Sequence, residues 1–238
     1  MKTATIHEIH LDRPARNALD EETIDWIGAR LDEAGGRAVL FTGTRDAFCA
    51  GLNLKRVAEL EGPAMETFLR TVDGLFQRLF EYPAPVAAAI EGHAIAGGCV
   101  LAQACDYRAA IDDESVRIGV NEVALGACFP PSVLRLMRFR VPRRNLHRVM
   151  LGGELFTPRK ALGLGLIDEV STDPRGDALA WLERAASHPP ATYALTKAAL
   201  RADVAEPLPE DERRFREEEI PLWSSEELRE RVRAALSK

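Results

Sequence analysis

Apolar residues follow two different periods along this chain, and the two periods divide it. Residues 3–11 alternate in period two and predict a strand. The segment RPARNALD breaks the alternation at Pro14. Asn17 or Asp20 can then cap a helix reaching Leu31, with Ile24, Ile27 and Leu31 on one face. Gly35-Gly36 ends it, and residues 38–41 are fully apolar, as a central strand of a parallel sheet is. A loop over 42–47 leads into FCAGLNL (48–54), and a helix is predicted over 64–80. After a hydrophilic turn at 112–115 comes a short strand at 116–119. Strand–helix alternation of this kind predicts an α/β domain with parallel sheets up to about residue 130. From Ser132 onward nearly every segment reads as helix: 132–139, 143–151, 158–163, 177–187, 191–202 and 224–236. The charged stretch 207–219 is expected on the surface. With no repeat or linker between the halves, an α/β core over 1–175 and a helical region over 176–238 are expected.

Residues 85–110, PVAAAIEGHAIAGGCVLAQACDYRAA, are the stretch around which the rest is organised. An apolar run at 86–90 predicts a buried strand and Glu91-Gly92-His93 a turn. Gly97-Gly98 then opens a helix over 98–104, polar only at Gln103 and so predicted buried on all sides. Paired glycines at a helix start leave bare N–H groups and the positive end of the helix dipole facing whatever lies there, which suits a negative charge. Close strand–helix packing asks for the same glycines, and spacing alone leaves both readings open.

Composition narrows the function classes. A net charge of -6 over 238 residues argues against nucleic acid or an anionic membrane as a partner. The basic cluster 135–148 reads as a solvated helix face. Four cysteines (Cys49, Cys99, Cys105 and Cys128) lie in apolar contexts without a CxxC pair, so they read as reduced, buried residues and not as a disulfide or zinc framework. No metal site is expected. The N-terminus MKTATIHEIHLDRP has no continuous apolar core, and the protein is expected to be cytoplasmic.

Four segments in order, RPARNAL, FCAGLNL, the stretch at 85–110 and IGVNEVALGACFPP (118–131), resemble the enoyl-CoA hydratase/isomerase, or crotonase, superfamily. The similarity runs from about residue 5 to about 170. It implies a spiral of ββα turns followed by helices that build trimers, often paired into hexamers. It also implies an acyl-CoA thioester as substrate, with coenzyme A entering as part of it and no separate cofactor. Carried over to this sequence, the donors that hold the thioester oxygen are the N–H groups of Leu52 and Gly97. Main-chain contacts to the coenzyme A moiety fall at Ala18, Ala50, Gly51, Asn53 and Leu54, with Asn121 also at the substrate. Arg16, Lys55 and Arg56 flank these motifs, as phosphate-binding cations or as solvated loop residues.

Hydratases of the superfamily use two glutamates. Here one of those positions is Val100 and the other is Glu122. Adding water needs groups that hold the water and move its protons, which a valine cannot do. Shifting a double bond needs one base. AGGCVLAQACDYR followed by IGVNE is similar to the 3,2-enoyl-CoA isomerases, with Asn53 where their first turn has Asp. The resemblance therefore implies an isomerase with Glu122 as proton shuttle. Val120, Val123, Leu125 and Phe129 are expected to surround that carboxyl with apolar groups and raise its pKa. Other chemistry of the superfamily, or a non-catalytic binder of acyl-CoA, is the alternative. Asp106 and Arg108 are expected in a structural ion pair or hydrogen-bond network, and His93 as a satisfied structural histidine. Leu179, Trp181, Leu182, Leu195, Ile220, Leu222 and Trp223 exceed what one small core needs and are expected to serve subunit contacts.

Overall fold

The chain winds through repeated turns that each add a strand to one parallel sheet, and the second, third and fourth turns also add one to a second parallel sheet. A computed structural model describes residues 6–205 and 208–237, so Thr3, Ala4, Thr5 and Pro207 of the predicted segments lie outside the described residues. β1 (His7–His10) is followed by a short turn, α1 (Pro14–Asn17), and by α2 (Glu21–Ala34). β2 (Val39–Thr42), β3 (Ala47–Cys49), α3 (Leu54–Glu59) and α4 (Gly62–Phe80) make the next turn. β4 (Val86–Ile90), β5 (His93–Ile95) and α5 (Gly97–Ala104) make the third. β6 (Tyr107–Ile111), β7 (Ile118–Gly119) and α6 (Glu122–Leu125) make the last. One sheet has the order β1-β2-β4-β6-β8 and the other β3-β5-β7, where β8 is Glu169–Ser171.

Strands buried on both faces explain the continuous apolar runs. Val39 and Phe41 of β2, with Val86, Ala88 and Ile90 of β4, enter the main core with α2, α4 and α5. The intervening Leu40, Ala87 and Ala89 face a second, smaller core built with Ala178 and Leu182. Those last two belong to α10 (Pro174–Ala186), which lies across the sheet and stacks Trp181 on Tyr107 with ring centroids 5.2 Å apart. Between the two halves run α7 (Pro131–Arg140), α8 (Arg143–Leu151) and α9 (Pro158–Leu164). The chain ends with α11 (Pro190–Ala205), α12 (Pro209–Arg214), a π-helical turn (Phe215–Glu219), α13 (Ile220–Trp223) and α14 (Glu226–Leu236).

Several expectations need correction. Asp20, not Asn17, caps α2 by accepting from the Thr23 N–H at 2.9 Å. β5 begins at His93 inside the expected turn, and β8, a strand not expected after Ser132, completes the main sheet within the expected α/β core. The cluster 135–148 is no uniform solvated face: Arg135 is buried and Arg140 nearly so. Asp106 and Arg108 serve separate networks. Arg108 pairs with Asp168 at 2.8 Å, whereas Asp106 holds Lys197 at 2.7 Å together with Arg201. His93 is satisfied as expected, its Nδ1 accepting the Arg117 N–H at 3.0 Å. Among the described residues no helix is long and apolar enough to cross a membrane.

Candidate active site

Two loops that are far apart in sequence are sewn together by backbone hydrogen bonds. Ala15, Arg16 and Asn17 take left-handed conformations with φ of 54°, 61° and 60°. This unusual turn aims the Asn17 amide at the Ala47 and Phe48 carbonyls, 3.0 and 3.2 Å away. The Ala50 N–H donates to the Arg16 oxygen (3.1 Å) and the Leu19 N–H to the Gly51 oxygen (2.7 Å). The Asn53 N–H returns to the Leu19 oxygen at 2.8 Å. Residues 50–53 are thereby fixed, and the Leu52 N–H is the donor left over.

The second loop lies against the first. Gly51 has φ +92°, and a Cβ there would stand 2.9 Å from the Ala96 Cβ and 3.2 Å from the Gly97 nitrogen. Ala96 itself has φ 51° and ψ −125°, a sparsely populated conformation for a residue with a side chain. Its N–H donates to the Gly119 oxygen at 2.8 Å, which ties the turn to β7. Gly97 then starts α5. Among the described residues, no partner takes the N–H of Leu52 or of Gly97. The two glycines of α5 differ in role. A Cβ on Gly98 would lie 2.0 Å from the Cys49 carbonyl oxygen, so Gly98 permits the packing of α5 on β3. On Gly97 it would meet only Leu19, Gly51 and Leu52 atoms at 3.4–3.6 Å.

Both turns open on a cavity of about 170 Å³, lined also by Val100, Leu125, Phe129, Asn121 and Glu122. Glu122 is the one carboxylate among the described lining residues. It is buried, and its Oε2 has no hydrogen-bond partner; nor has the Asn121 Oδ1 beside it. Removal from water pushes the Glu122 carboxyl up to about 8, only partly offset by backbone hydrogen bonds. Leu125 and Phe129 supply the expected apolar surroundings, but Val123 is a correction, since it turns outward and is 43% exposed. Cys128 also departs from expectation: it is half-buried and lines the cavity, while Cys49, Cys99 and Cys105 are fully enclosed, with thiols pushed up to about 12 by burial. A carboxylate that can ionise near neutral pH thus shares an apolar chamber with two unpaired N–H groups. Such a chamber can move a proton beside an atom where negative charge develops.

Of the residues expected from sequence, Ala50, Leu52, Leu54, Gly97, Asn121 and Glu122 line this one cavity, and Val100 stands among them. Gly51 and Ala18 are buried beside it. Asn53 caps α3, accepting from the Lys55 and Arg56 N–H groups, and its amide donates to Asp20 at 3.0 Å. An aspartate there would set two carboxylates against each other, which gives Asn53 a structural reason. Arg16 pairs with Asp46 at 2.9 Å and Arg56 with Glu21 at 2.8 Å, both near the surface, and Lys55 is exposed. Residues that the sequence did not place at the site include Ala96 and the C-terminal Leu228, Val232 and Ala235, and Trp223, expected at a subunit contact, also stands on the cavity wall. The spacing 228, 232, 235 marks one face of a helix, but periodicity does not tell what that face covers.

The sequence profile of the enoyl-CoA hydratase/isomerase family matches residues 1–228. A Thermus thermophilus protein that carries an enoyl-CoA hydratase name is 35% identical over 203 residues, covering 80% of this chain and 78% of its own length. The human protein named enoyl-CoA delta isomerase 1, mitochondrial, is 31% identical over 199 residues, with 81% of this chain and 66% of its own length covered. The crystal structure of human mitochondrial delta3-delta2-enoyl-CoA isomerase superimposes with a TM-score of 0.90 at 26% identity. It covers 98% of this chain and 93% of that one.

Proposed function

This chain belongs to the enoyl-CoA hydratase/isomerase family, and from that premise we propose that it shifts the double bond of a 3-enoyl-CoA to give the trans-2-enoyl-CoA in the cytoplasm. The thioester oxygen lies between the N–H groups of Leu52 and Gly97. Glu122, as carboxylate, removes a proton from C2. The negative charge of the resulting dienolate is met by the two preorganised dipoles, which cost no reorganisation as it forms. Glu122 then returns the proton at C4, which leaves the double bond conjugated with the carbonyl. One base suffices because it sits in the same chamber as both carbons.

The observation that carries this reading is the solitude of Glu122: among the described residues the cavity holds one carboxylate, and Val100, 1% exposed, lines it where a hydratase of the family has its second. A second reading, hydration of a 2-enoyl-CoA, draws on the unpartnered Asn121 Oδ1, which can accept a hydrogen bond from a water beside Glu122; the Thermus relative carries a hydratase name. Turnover of a 3-enoyl-CoA measured beside that of a 2-enoyl-CoA separates the two. Isomerisation should be faster by at least tenfold, and hydration as fast as isomerisation would sink the proposed division of roles. The proposed working form is a homotrimer or a pair of trimers, with Leu195 and Leu200 of α11 and Leu222 of α13 exposed for subunit contacts.

A further inference from the structure

Four residues of the C-terminal helices wall the cavity. Trp223 ends α13, and Leu228, Val232 and Ala235 follow on one face of α14. α14 packs on α3, which follows the Leu52 turn, and on α6, which starts with Glu122; α13 packs on α4. Arg229 fastens α14 to Glu61 at 2.8 Å, and Arg231 donates to the Ala124 oxygen at 3.3 Å. The chain that supplies the polar groups of the cavity therefore also walls its apolar side, with α14 tied down by Arg229 and Arg231.

That wall limits what fits. The cavity measures about 170 Å³, and one of roughly 150 Å³ accommodates a benzene, six carbon atoms. In a 3-enoyl thioester, carbons one to four must already lie between the Leu52 and Gly97 N–H groups and Glu122. Room for about two more remains.

We infer that this protein selects acyl-CoA thioesters with short acyl chains, of about four to six carbons, and that Trp223 sets the limit. The inference rests on the acyl-CoA reading of the cavity given above. Trp223 is 5% exposed and has the largest side chain of the four. Its Nε1 has no hydrogen-bond partner, so the ring is held by packing alone. Truncating it opens volume without leaving a polar partner stranded.

Binding of non-reactive saturated thioesters tests this on the full chain, using free coenzyme A and butanoyl-, hexanoyl-, octanoyl- and dodecanoyl-CoA in a calorimeter. For the wild type, affinity should peak at hexanoyl-CoA and fall by roughly tenfold or more at octanoyl-CoA, since an apolar pocket discriminates added methylenes at about that rate. Trp223→Ala should move the peak to a longer chain, whereas Trp223→Phe, which keeps a ring, should leave it in place. Ala235→Leu, at a half-buried position near the end of α14, should move it to butanoyl-CoA, and this variant decides the matter if Trp223→Ala does not fold. Dodecanoyl-CoA binding the wild type as tightly as hexanoyl-CoA would overturn the length limit and leave the acyl-CoA reading standing. A limit that Trp223→Ala does not move would overturn the role of Trp223. If no thioester binds more tightly than free coenzyme A, the acyl-CoA reading falls with the inference.

Discussion

Burial keeps the Glu122 carboxyl protonated up to about 8, while its ordinary value is 4.5. Between those values the unfolded chain has lost a proton that the folded chain retains, so this residue makes stability fall as pH rises through that window. Glu122→Gln binds no such proton. Its melting temperature should gain on the wild type from pH 5 towards pH 8, and a constant difference across that range would show that the carboxyl is not held neutral. The same substitution should lower kcat by about a hundredfold or more with little change in KM, because shape is kept and the base is removed. In the wild type, kcat/KM should climb with pH to a midpoint near 8, the limb of an enzyme that needs its base ionised. Gly97 and Gly98 give a paired test. Gly98→Ala drives a methyl into the Cys49 carbonyl and should prevent folding, whereas Gly97→Ala meets only ordinary contacts and should fold. The new methyl lies against Gly51 and Leu52, where the thioester must approach, so kcat per folded site should drop on the order of a hundredfold. Full activity in folded Gly97→Ala would move the carbonyl site elsewhere.

Among the secondary-structure elements, α11 is bound to the core around one carboxylate. Asp106 accepts the Val86 N–H at 2.9 Å, the Tyr193 hydroxyl at 3.2 Å and the Lys197 ammonium at 2.7 Å, and it also pairs with Arg201. The cations do more than neutralise it. Arg201 reaches the Phe80 carbonyl at the end of α4, and Arg140 the Gln103 and Cys105 carbonyls at the end of α5, where helix dipoles favour positive charge. Lys197, held at about 8 by burial in spite of its carboxylate partner, marks how dry the cluster is. Asp106→Asn would leave Lys197, Arg201 and the nearly buried Arg140 without their counter-charge, and a loss of about 3–5 kcal/mol in urea unfolding is expected. A loss under about 1 kcal/mol would mean that the helix ends alone compensate those charges.

At the scale of the whole molecule, the second half of the chain is less free for subunit contacts than its composition suggests. Leu182, Ile220 and Trp223 are buried in their own chain, and Leu179 and Trp181 pack on the main sheet's second face. Leu195 at 73% and Leu222 at 47% exposure remain, joined by Leu200 at 68%. Leu195 and Leu200 lie on one helix, α11, and exposed leucines in such numbers ask for a partner surface. Light scattering at micromolar concentration should report three copies or a multiple of three. Leu195→Lys together with Leu200→Lys should shift the protein towards monomer without unfolding it, since neither side chain is packed. A wild-type monomer would refute the trimer, and an unchanged mass in the double variant would place the interface elsewhere.

Local pattern determined much of this protein. The amphipathic stripes of α2 and α4, the apolar run of β4 and the buried α5 follow from periodicity, because each names its own apolar face. The family's motifs likewise pointed to the residues that gather at the cavity. Strands of three residues, such as β3, β5 and β8, carry too few positions to show a period, and only pairing with a neighbour defines them. Burial of Arg135 and Arg140, the outward turn of Val123 and the entry of Cys128 into the cavity depend on which elements meet, as does the pKa of Glu122. The largest decision left to tertiary structure was the return of α13 and α14 over the cavity. A stripe of apolar residues states that something must be covered, and the identity of what covers it is fixed only when two distant pieces of chain bury their surfaces against each other.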